Sequence, residues 1–326
     1  MSLDAYPGPE ARERELETLV VAAGRLVPGV EIIEYGRSVA GRALQAVRVP
    51  MRGGGDSAPK VLVCANTHGP EFIGNRVCTA LLRELGQRDD SPVHRLIERA
   101  QLWLAPCLNP DGYARTYASE GVGKLPSLRH NDNGVDLNRN WPLPEGERRL
   151  PFPGAGSPRP GDATYRGPHP LSEPETASLD RLLAEQDFCA SANLHSFMGT
   201  LFPARVRGRS AYQRYRELCR ALNHAQPHAR YRRVANRWLD TFTGEQEDHQ
   251  HHARRTWSVC IECYTLIASF AQHARAPSLF WRFNPRDPTP WIANDVPGIV
   301  NFLLAAVELP RPDRASSIDH EASSSG

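Results

Sequence analysis

Lysine is nearly absent from this sequence: it occurs only at Lys60 and Lys124, so arginine carries almost all of the positive charge. Because arginine is so common in the chain, a single arginine indicates a function only where a motif surrounds it. The net charge is also small, at +2. The composition therefore predicts neither a nucleic-acid partner nor an anionic membrane surface as a partner.

Long apolar runs and a disulfide pattern are missing as well. No uninterrupted apolar run reaches the roughly 18 residues of a membrane span. Residues 1–17 do not follow the charged-then-apolar pattern of a secretory signal. The seven cysteines, an odd number, stand singly in apolar surroundings, which is typical of reduced, buried thiols. Together these features predict a cytoplasmic protein with no membrane partner.

The chain does contain enough hydrophobic residues, 40%, to bury a sizeable core. Near-continuous apolar runs at 61–66, 101–109 and 188–196 are typical of strands that are covered on both faces. Residues 72–85, between the first two runs, have helical periodicity. Strand, helix and strand in that order predict an α/β fold with a mostly parallel core.

Several other segments are assigned from composition. Residues 142–171 are rich in proline and glycine and predict a long surface loop, which in a compact domain is usually functional or mobile. Residues 257–267 predict a further strand and residues 296–308 the last helix. From residue 309 to 326 the chain is polar, which predicts a disordered tail.

Two short motifs that follow predicted strands carry side chains able to bind a metal. His68 and Glu71 come directly after the run at 61–66, and His195 lies at the end of the run at 188–196. A closely spaced pair with a distant third ligand is how catalytic zinc sites are built. Each residue alone also has an ordinary explanation: a surface histidine, an acid that begins a helix, or a histidine hydrogen-bonded in the core.

A third motif narrows these alternatives. The run RHNDNGVDLNRNW at 129–141 resembles the signature of the zinc carboxypeptidase family, and so does NPDG at 109–112. The resemblance continues in YGRSVAGRAL at 35–44, YRGPHPLSEPET at 165–176 and CIECY at 260–264, in the family's order. It implies one catalytic domain over residues 1–308, built on a twisted mixed sheet flanked by helices, with the site at the carboxyl edge of the strands.

The resemblance also implies a metal site. His68, Glu71 and His195 match the family's three ligands of one Zn²⁺ ion per chain. Asp136 matches the carboxylate that orients the first ligand histidine and fixes its tautomer.

Four more residues match catalytic or substrate-binding positions of the family. Asn138 and Arg139 match the pair that grips the substrate's terminal carboxylate, for which the planar fork of arginine is well suited. Arg129 matches the arginine that polarises the scissile carbonyl, and Glu262 matches the general base.

The sequence departs from the family where digestive members carry a mobile tyrosine. An ungapped comparison places Asp240 there, and no tyrosine lies between Tyr231 and Tyr264. This departure argues against ordinary digestive specificity but leaves the metal, the base and the oxyanion arginine in place.

The segment that follows is unusually polar. Glu245, Glu247 and Asp248 fall where the family builds the pocket for the C-terminal side chain, so they predict either a pocket for a cationic group or, the interpretation we favour, a solvated acidic loop. The histidines at 249, 251 and 252 predict either a second metal site or, again favoured, surface histidines in a polar loop.

These observations leave several hypotheses of function. The leading one is a metallocarboxypeptidase that removes the C-terminal residue of a short peptide or peptide-like substrate. The YGRS segment and the NGVDLNRN run are similar to those of cytoplasmic murein-peptide amidases, which cut a γ-D-glutamyl–diaminopimelate bond. A deacylase of N-acyl amino acids and a binding module without turnover are further alternatives.

Overall fold

The structure is a computed structural model, and it describes residues 3, 5–55, 57–87, 90–149, 153–235, 243–273, 276 and 278–313. Two sequence predictions fall outside these residues: the role of position 240, and residues 314–326 of the predicted tail. Residues 309–313 are described, and they bond to the domain, since Trp257 Nε1 donates to the carbonyl oxygen of Pro310 over 2.9 Å. The tail itself stays a prediction.

An eight-stranded sheet forms the centre of the described structure. In chain order its strands are β1 (Glu31–Arg37), β2 (Ala43–Val49), β3 (Lys60–Ala65), β4 (Gln101–Ala105), β5 (Ala190–Ser196), β6 (Thr200–Pro203), β7 (Arg232–Arg233) and β8 (Trp257–Cys263). Their spatial order is β1-β2-β4-β3-β5-β8-β6-β7. The four central strands β4, β3, β5 and β8 run parallel, and antiparallel pairs flank them. The predicted α/β fold with a mixed sheet and a parallel core is confirmed.

Helices cover both faces of this sheet. They are α1 (Pro9–Gly24), α2 (Phe72–Gln87), α3 (Pro92–Ile97), α4 (Pro110–Ala118), α5 (Leu125–Arg129), α6 (Pro174–Gln186), α7 (Arg209–Ala225), α8 (Gln246–His252), α9 (Leu266–His273), α10 (Phe280–Phe283) and α11 (Thr289–Val307). Helices α1, α2, α3, α7 and α11 share the large hydrophobic core on one face, and α6 packs on the other face. The central strands β3 and β5 are buried on both faces, as continuous apolar runs predict.

Helix α11 passes the length and composition test for a membrane span, with a mean hydropathy of 1.2 and half of the tested window buried. Its buried side chains, Val296, Ile299, Val300, Phe302, Leu303 and Ala306, belong to the large core. A core helix of this kind passes the same test, so this result is weak evidence for a membrane span. The helix begins at Thr289, seven residues before the predicted start, and continues through Pro297.

The predicted strand at 257–267 is too long. Strand β8 ends at Cys263, Tyr264 has a φ of +71°, and α9 begins at Leu266. Because a non-glycine residue rarely adopts positive φ, the turn at Tyr264 is set by its tertiary surroundings rather than by local propensity.

The order of the central strands fixes where a site can form. From β3 the chain continues to β4 on one side, whereas β5 and β8 lie on the other side of β3. Side chains that follow such a switch point lie in a crevice at the carboxyl edge of the sheet, the usual ligand position in open α/β sheets. His68 follows β3 and His195 lies at the end of β5, so both face this crevice.

Candidate active site

The structure brings His68, Glu71 and His195 together. His68 Nδ1 lies 2.8 Å from Glu71 Oε1, and His195 Nδ1 lies 3.0 Å from Glu71 Oε2. The two ring nitrogens are 3.2 Å apart. All three side chains are buried, at 3%, 1% and 1% exposure, and within the described residues they are the one group of this kind that can hold a metal ion.

These distances fit a zinc ion. Zinc–nitrogen bonds of about 2.0–2.1 Å in tetrahedral geometry separate two ligand nitrogens by about 3.3 Å. The observed separation of 3.2 Å between His68 Nδ1 and His195 Nδ1 is close to that value. A set of two histidines and one carboxylate leaves the fourth position open, as catalytic zinc sites do.

A close backbone contact holds the loop between the first two ligands. Gly69 N donates to the carbonyl oxygen of Arg129 over 3.1 Å. A Cβ atom on Gly69 would lie 2.2 Å from the carbonyl oxygen of Leu128, so only glycine permits this approach. Asn109 Nδ2 donates to the carbonyl oxygen of Thr67 over 3.3 Å, and in this way the NPDG motif supports the same loop.

Asp136 lies where it can orient His68, the role that the resemblance implies. Its Oδ1 lies 3.1 Å from His68 Nε2, and its Oδ2 accepts a hydrogen bond of 2.9 Å from Arg129 Nε. Burial alone would raise the pKa of Asp136, but the charges of Arg129 and His68 outweigh it and hold the pKa well below its usual range. An ionised Asp136 accepts the hydrogen of His68 Nε2 and so leaves Nδ1 available to a metal.

Glu262 lies beside the metal ligands on strand β8, in register with His195 on β5. Its Oε2 atom is buried and has no hydrogen-bond partner among the described residues. Burial, and after it the charge of Glu71, raises the pKa of Glu262 to about 8, while Arg129 opposes the shift. An acid held this way, with an unsatisfied oxygen at a metal site, is suited to proton transfer.

Arg129 lies close to Glu71, Asp136 and Glu262. Its Nη1 lies 3.8 Å from Glu71 Oε1, and its Nε bonds to Asp136. The guanidinium is close enough to Glu262 to affect the pKa of that acid. Its position is consistent with the oxyanion role that the resemblance implies.

Asn138 and Arg139 lie in a 3₁₀ turn, Leu137–Arg139, and both contact the beginning of α8. Asn138 Oδ1 accepts a hydrogen bond of 2.9 Å from Gln246 N, and Arg139 Nη1 lies 3.3 Å from Glu245 Oε1. Arg139 Nε also donates to the carbonyl oxygen of Gly154 over 2.8 Å, which ties the 142–171 loop to this pair. Arg139, which the resemblance assigns to the substrate's terminal carboxylate, is therefore already engaged with a protein carboxylate.

The favoured interpretation of the acidic segment is wrong. Gln246–His252 form helix α8, and Glu247 and Asp248 are buried, at 1% and 3% exposure, rather than solvated. Asp248 Oδ1 accepts a hydrogen bond of 2.7 Å from Arg205 N. Glu247 Oε1 has no partner among the described residues, and burial together with the charge of Asp248 raises the pKa of Glu247 to about 8.

The three histidines of α8 are not surface histidines in a loop either. His249 Nε2 lies 2.7 Å from Asp180 Oδ1, and His251 Nδ1 lies 2.8 Å from the Tyr215 hydroxyl. His252, which is partly exposed, has its Nε2 2.8 Å from the carbonyl oxygen of Arg205. Each ring has a separate partner, which explains these histidines without a second metal.

Sequence reasoning missed a buried polar network beneath the site. Asn193 Nδ2 donates to Gln250 Oε1 over 2.9 Å and lies 3.5 Å from Glu247 Oε2. Gln246 Nε2 donates to Asn193 Oδ1 over 3.0 Å. One feature of the sequence could have indicated this network. Asn193 precedes His195 by two residues on the same strand, so both side chains point to the same face of the sheet.

The cysteines and the 142–171 loop agree with the sequence predictions over their described residues. All seven cysteines are free, and six of them are buried, with Cys189 partly exposed, as their apolar surroundings predict. The 142–171 segment contains only the short turn Pro153–Ala155 and an isolated bridge between Ser157 and Tyr165, so the predicted loop is confirmed over its described part.

Comparison with known proteins gives the same assignment as the site. The zinc carboxypeptidase family model matches residues 21–266. A zinc carboxypeptidase of Simulium vittatum is 32% identical over 157 residues, which are 47% of this chain and 49% of that protein. The carboxypeptidase N catalytic chain of Homo sapiens is 32% identical over 186 residues, 52% of this chain and 38% of that protein. The chain spans about half the length of the curated relatives it matches.

The fold is also shared with solved structures. Carboxypeptidase A from Helicoverpa armigera superposes with a TM-score of 0.72 at 21% identity, over 94% of this chain and 75% of that chain. This likeness concerns the fold, whereas the family model extends over the segments that carry the three candidate ligands and Glu262. The chain belongs to the zinc carboxypeptidase family.

Proposed function

We propose that this protein is a zinc-dependent carboxypeptidase that hydrolyses the C-terminal amide bond of a short peptide or peptide-like substrate. The observation that carries the proposal is the convergence of His68, Glu71 and His195 on one point, beside the unpartnered carboxylate oxygen of Glu262. Family membership supports the same reaction class.

The proposed mechanism assigns one step to each nearby group. A zinc ion held by His68, Glu71 and His195 would supply a nucleophile near neutral pH, because zinc lowers the pKa of water to about 7. The positive charge of a bound zinc ion would offset that of Glu71 and favour the ionised form of Glu262. In that form Glu262 takes the proton of the attacking water and delivers it to the leaving nitrogen. Arg129, fixed by Asp136, directs its positive charge at the oxygen that becomes negative in the transition state.

We further propose that the terminal carboxylate of the substrate binds at Asn138 and Arg139. A guanidinium and a carboxylate attract each other through charge-assisted hydrogen bonds, which suits Arg139 to this role. Glu245, only 3.3 Å from this guanidinium, would repel a substrate carboxylate unless a positive charge accompanies it. A C-terminal residue with a cationic side chain supplies that charge.

Glu247 supports the same preference. It is buried beside Asn193 with one oxygen unpartnered among the described residues, and it lies near enough to Arg139 for their charges to interact. An ammonium or guanidinium group of the substrate would provide the missing partner and keep Glu247 ionised. The proposed substrate therefore ends in lysine, arginine or another residue that carries an amino group, such as diaminopimelate.

The test is a hydrolysis panel with the zinc-loaded protein, with a chelated sample as the control and mass spectrometry as the readout. The panel holds peptides that end in lysine, arginine or norleucine, the murein tripeptide, and N-acyl amino acids. Norleucine is the matched control, because it is lysine without the ammonium group. Chelator-sensitive release of C-terminal lysine is expected.

Other outcomes select the alternatives. Cleavage of the murein tripeptide alone would make the protein a murein-peptide amidase, and cleavage of N-acyl amino acids alone would make it a deacylase. Zinc bound without any hydrolysis would favour the binding module. The cytoplasmic location stays a prediction, which cell fractionation can test.

A further inference from the structure

Four residues lie side by side across the carboxyl edge of the sheet. His195 on β5 pairs with Glu262 on β8, Glu262 pairs with Thr200 on β6, and Thr200 pairs with Arg232 on β7. Neighbouring strands are about 4.8 Å apart, so the Arg232 backbone lies about 10 Å from that of Glu262. Arg232 therefore lies at the same level of the sheet as the proposed base.

Residues that pair directly across strands point to the same face of a sheet. Arg232 therefore shares the face of Glu262, which is the face of the active site. The next residue confirms the alternation: Arg233 pairs with Leu201, whose side chain belongs to the large core on the opposite face. Arg233 accordingly contacts Tyr212 of α7, with its guanidinium carbon 5.1 Å from the ring centre.

Two polar groups along this row have no described partner. Arg232 is exposed, and within the described ranges its guanidinium forms no ion pair or hydrogen bond. Thr200, at 7% exposure, lies between Arg232 and Glu262, and its hydroxyl oxygen is buried without a hydrogen-bond partner in the described part of the chain. Buried hydroxyls are normally satisfied, so this group points to a ligand.

The position of the leaving residue determines which part of a substrate can reach this row. Helix α8 lies over β5 and β8, since Gln246 bonds to Asn193 and Gln250 to Ser258, and Arg139 contacts Glu245 directly before this helix. In the proposed function this region encloses the C-terminal residue. The part of the substrate before the scissile bond can then extend past Glu262 toward β6 and β7. Met198, which is 43% exposed, lies at the start of that path.

We propose that Arg232 is a specificity-determining residue that binds a carboxylate in the part of the substrate preceding the scissile bond, with the Thr200 hydroxyl as a second polar contact. An extended peptide advances about 3.3–3.6 Å per residue, so 10 Å corresponds to about three residues. The carboxylate belongs to an acidic side chain at the second or third position before the scissile bond. This inference rests on the proposed carboxypeptidase function.

The test uses peptides with a fixed C-terminal lysine and a single Glu or Gln at the first, second or third position before the scissile bond. The kcat/KM ratio of each Glu/Gln pair is measured for the zinc-loaded wild type, Arg232→Gln, Arg232→Lys and Arg233→Gln. Arg233→Gln is the matched control, because it removes the same charge one residue away on the opposite face. Calorimetric binding of the same peptides to Glu262→Gln, with and without Arg232→Gln, gives a readout without turnover.

Wild type is expected to prefer Glu over Gln by about two- to fivefold at the second or third position, the size of an exposed ion pair. Added salt should reduce the preference. Arg232→Gln should abolish it, Arg232→Lys should restore part of it, and Arg233→Gln should keep it. An equal loss in Arg233→Gln would indicate a long-range field and overturn the inference.

Different results would overturn the role of Arg232 and the proposed carboxypeptidase function. Hydrolysis of these peptides without a preference for Glu, or with a preference that survives Arg232→Gln, overturns the role of Arg232 alone. Failure to hydrolyse any of the peptides overturns the proposed function and, with it, this inference.

Discussion

Two groups of histidines and acids lie within this fold, the metal-site cluster and helix α8, and both are largely buried. In the metal-site cluster, His68 and His195 present their Nδ1 atoms to the two oxygens of one carboxylate. In α8, His249 and His251 bond to different groups on different elements. Both groups are largely buried and rich in histidine, so neither property identifies a metal site. Side chains that could bind a metal ion are identified by the convergence of their donor atoms on a common point.

The largest expected effect separates the two groups of histidines directly. His195→Ala removes one of three converging ligands, so bound zinc should fall from one per chain to near zero and hydrolysis below detection. His252→Asn is the matched control from α8 and should retain zinc, because among the described residues His252 Nε2 bonds to the carbonyl oxygen of Arg205 and not to the metal-site cluster. Metal analysis by mass spectrometry measures both. Loss of zinc in His252→Asn would show that the histidines of α8 also contribute to zinc binding, which contradicts this prediction.

The next effect concerns the base. Glu262→Gln should keep zinc at one per chain and lower kcat by about 10³, within the range for general acid–base groups. The amide preserves the shape of the side chain but cannot accept the proton. Near-normal turnover in steady-state assays of this variant would take Glu262 out of the mechanism.

A smaller effect is expected at Asn138 and Arg139, the proposed substrate-binding pair, which contact the beginning of α8. Arg139→Ala should lower kcat/KM about 10- to 100-fold for peptides with a free C-terminal carboxylate, because hydrogen bonds between charged groups contribute about 1.5–3 kcal/mol. Peptides with an amidated C-terminus should lose little. An equal loss on both substrates would place the role of Arg139 elsewhere.

The smallest effect follows from the raised pKa of Glu247, which is about 8 because of burial and the charge of Asp248. Glu247 is neutral below this pH and ionised above it, while a lysine ammonium keeps its charge up to a pKa of about 10.4. The KM of a lysine-terminated peptide should therefore fall, by up to about tenfold, as the pH rises from 6.5 to 9. Norleucine peptides and Glu247→Gln should show no such change, and a pH response in that variant would argue against Glu247.

The sequence was sufficient for the metal-site cluster because its information is local. Continuous apolar runs predict central strands, and parallel strands bring the residues after their carboxyl ends to one edge. His68 follows such a run and His195 lies at the end of another, so the order of the strands brings them to one edge. The resemblance to the family identified them, together with Glu71, as metal ligands. The motif at 129–141 supplied Arg129 and Asp136 through its resemblance to the family.

Helix α8 could not be predicted in the same way, because its partners are far away along the chain. Glu245 lies 106 residues from Arg139, and His249 lies 69 residues from Asp180. Seven polar residues in succession indicate a solvated segment unless those partners are known. The end of β8 depends in the same way on tertiary contacts, since the amide of Tyr264, where the chain turns, donates to the Tyr231 hydroxyl over 3.1 Å.

Asp136 divides its two oxygens between His68 and Arg129, and this sharing has a thermodynamic consequence. A ligand that changes the hold of Asp136 on one partner alters its hold on the other. Because such coupling is reciprocal, an anion that binds Arg129 must change the affinity of the site for zinc by the same factor by which zinc changes the affinity for the anion. Zinc binding and anion binding are then thermodynamically linked. An affinity measured for either one therefore depends on whether the other is bound.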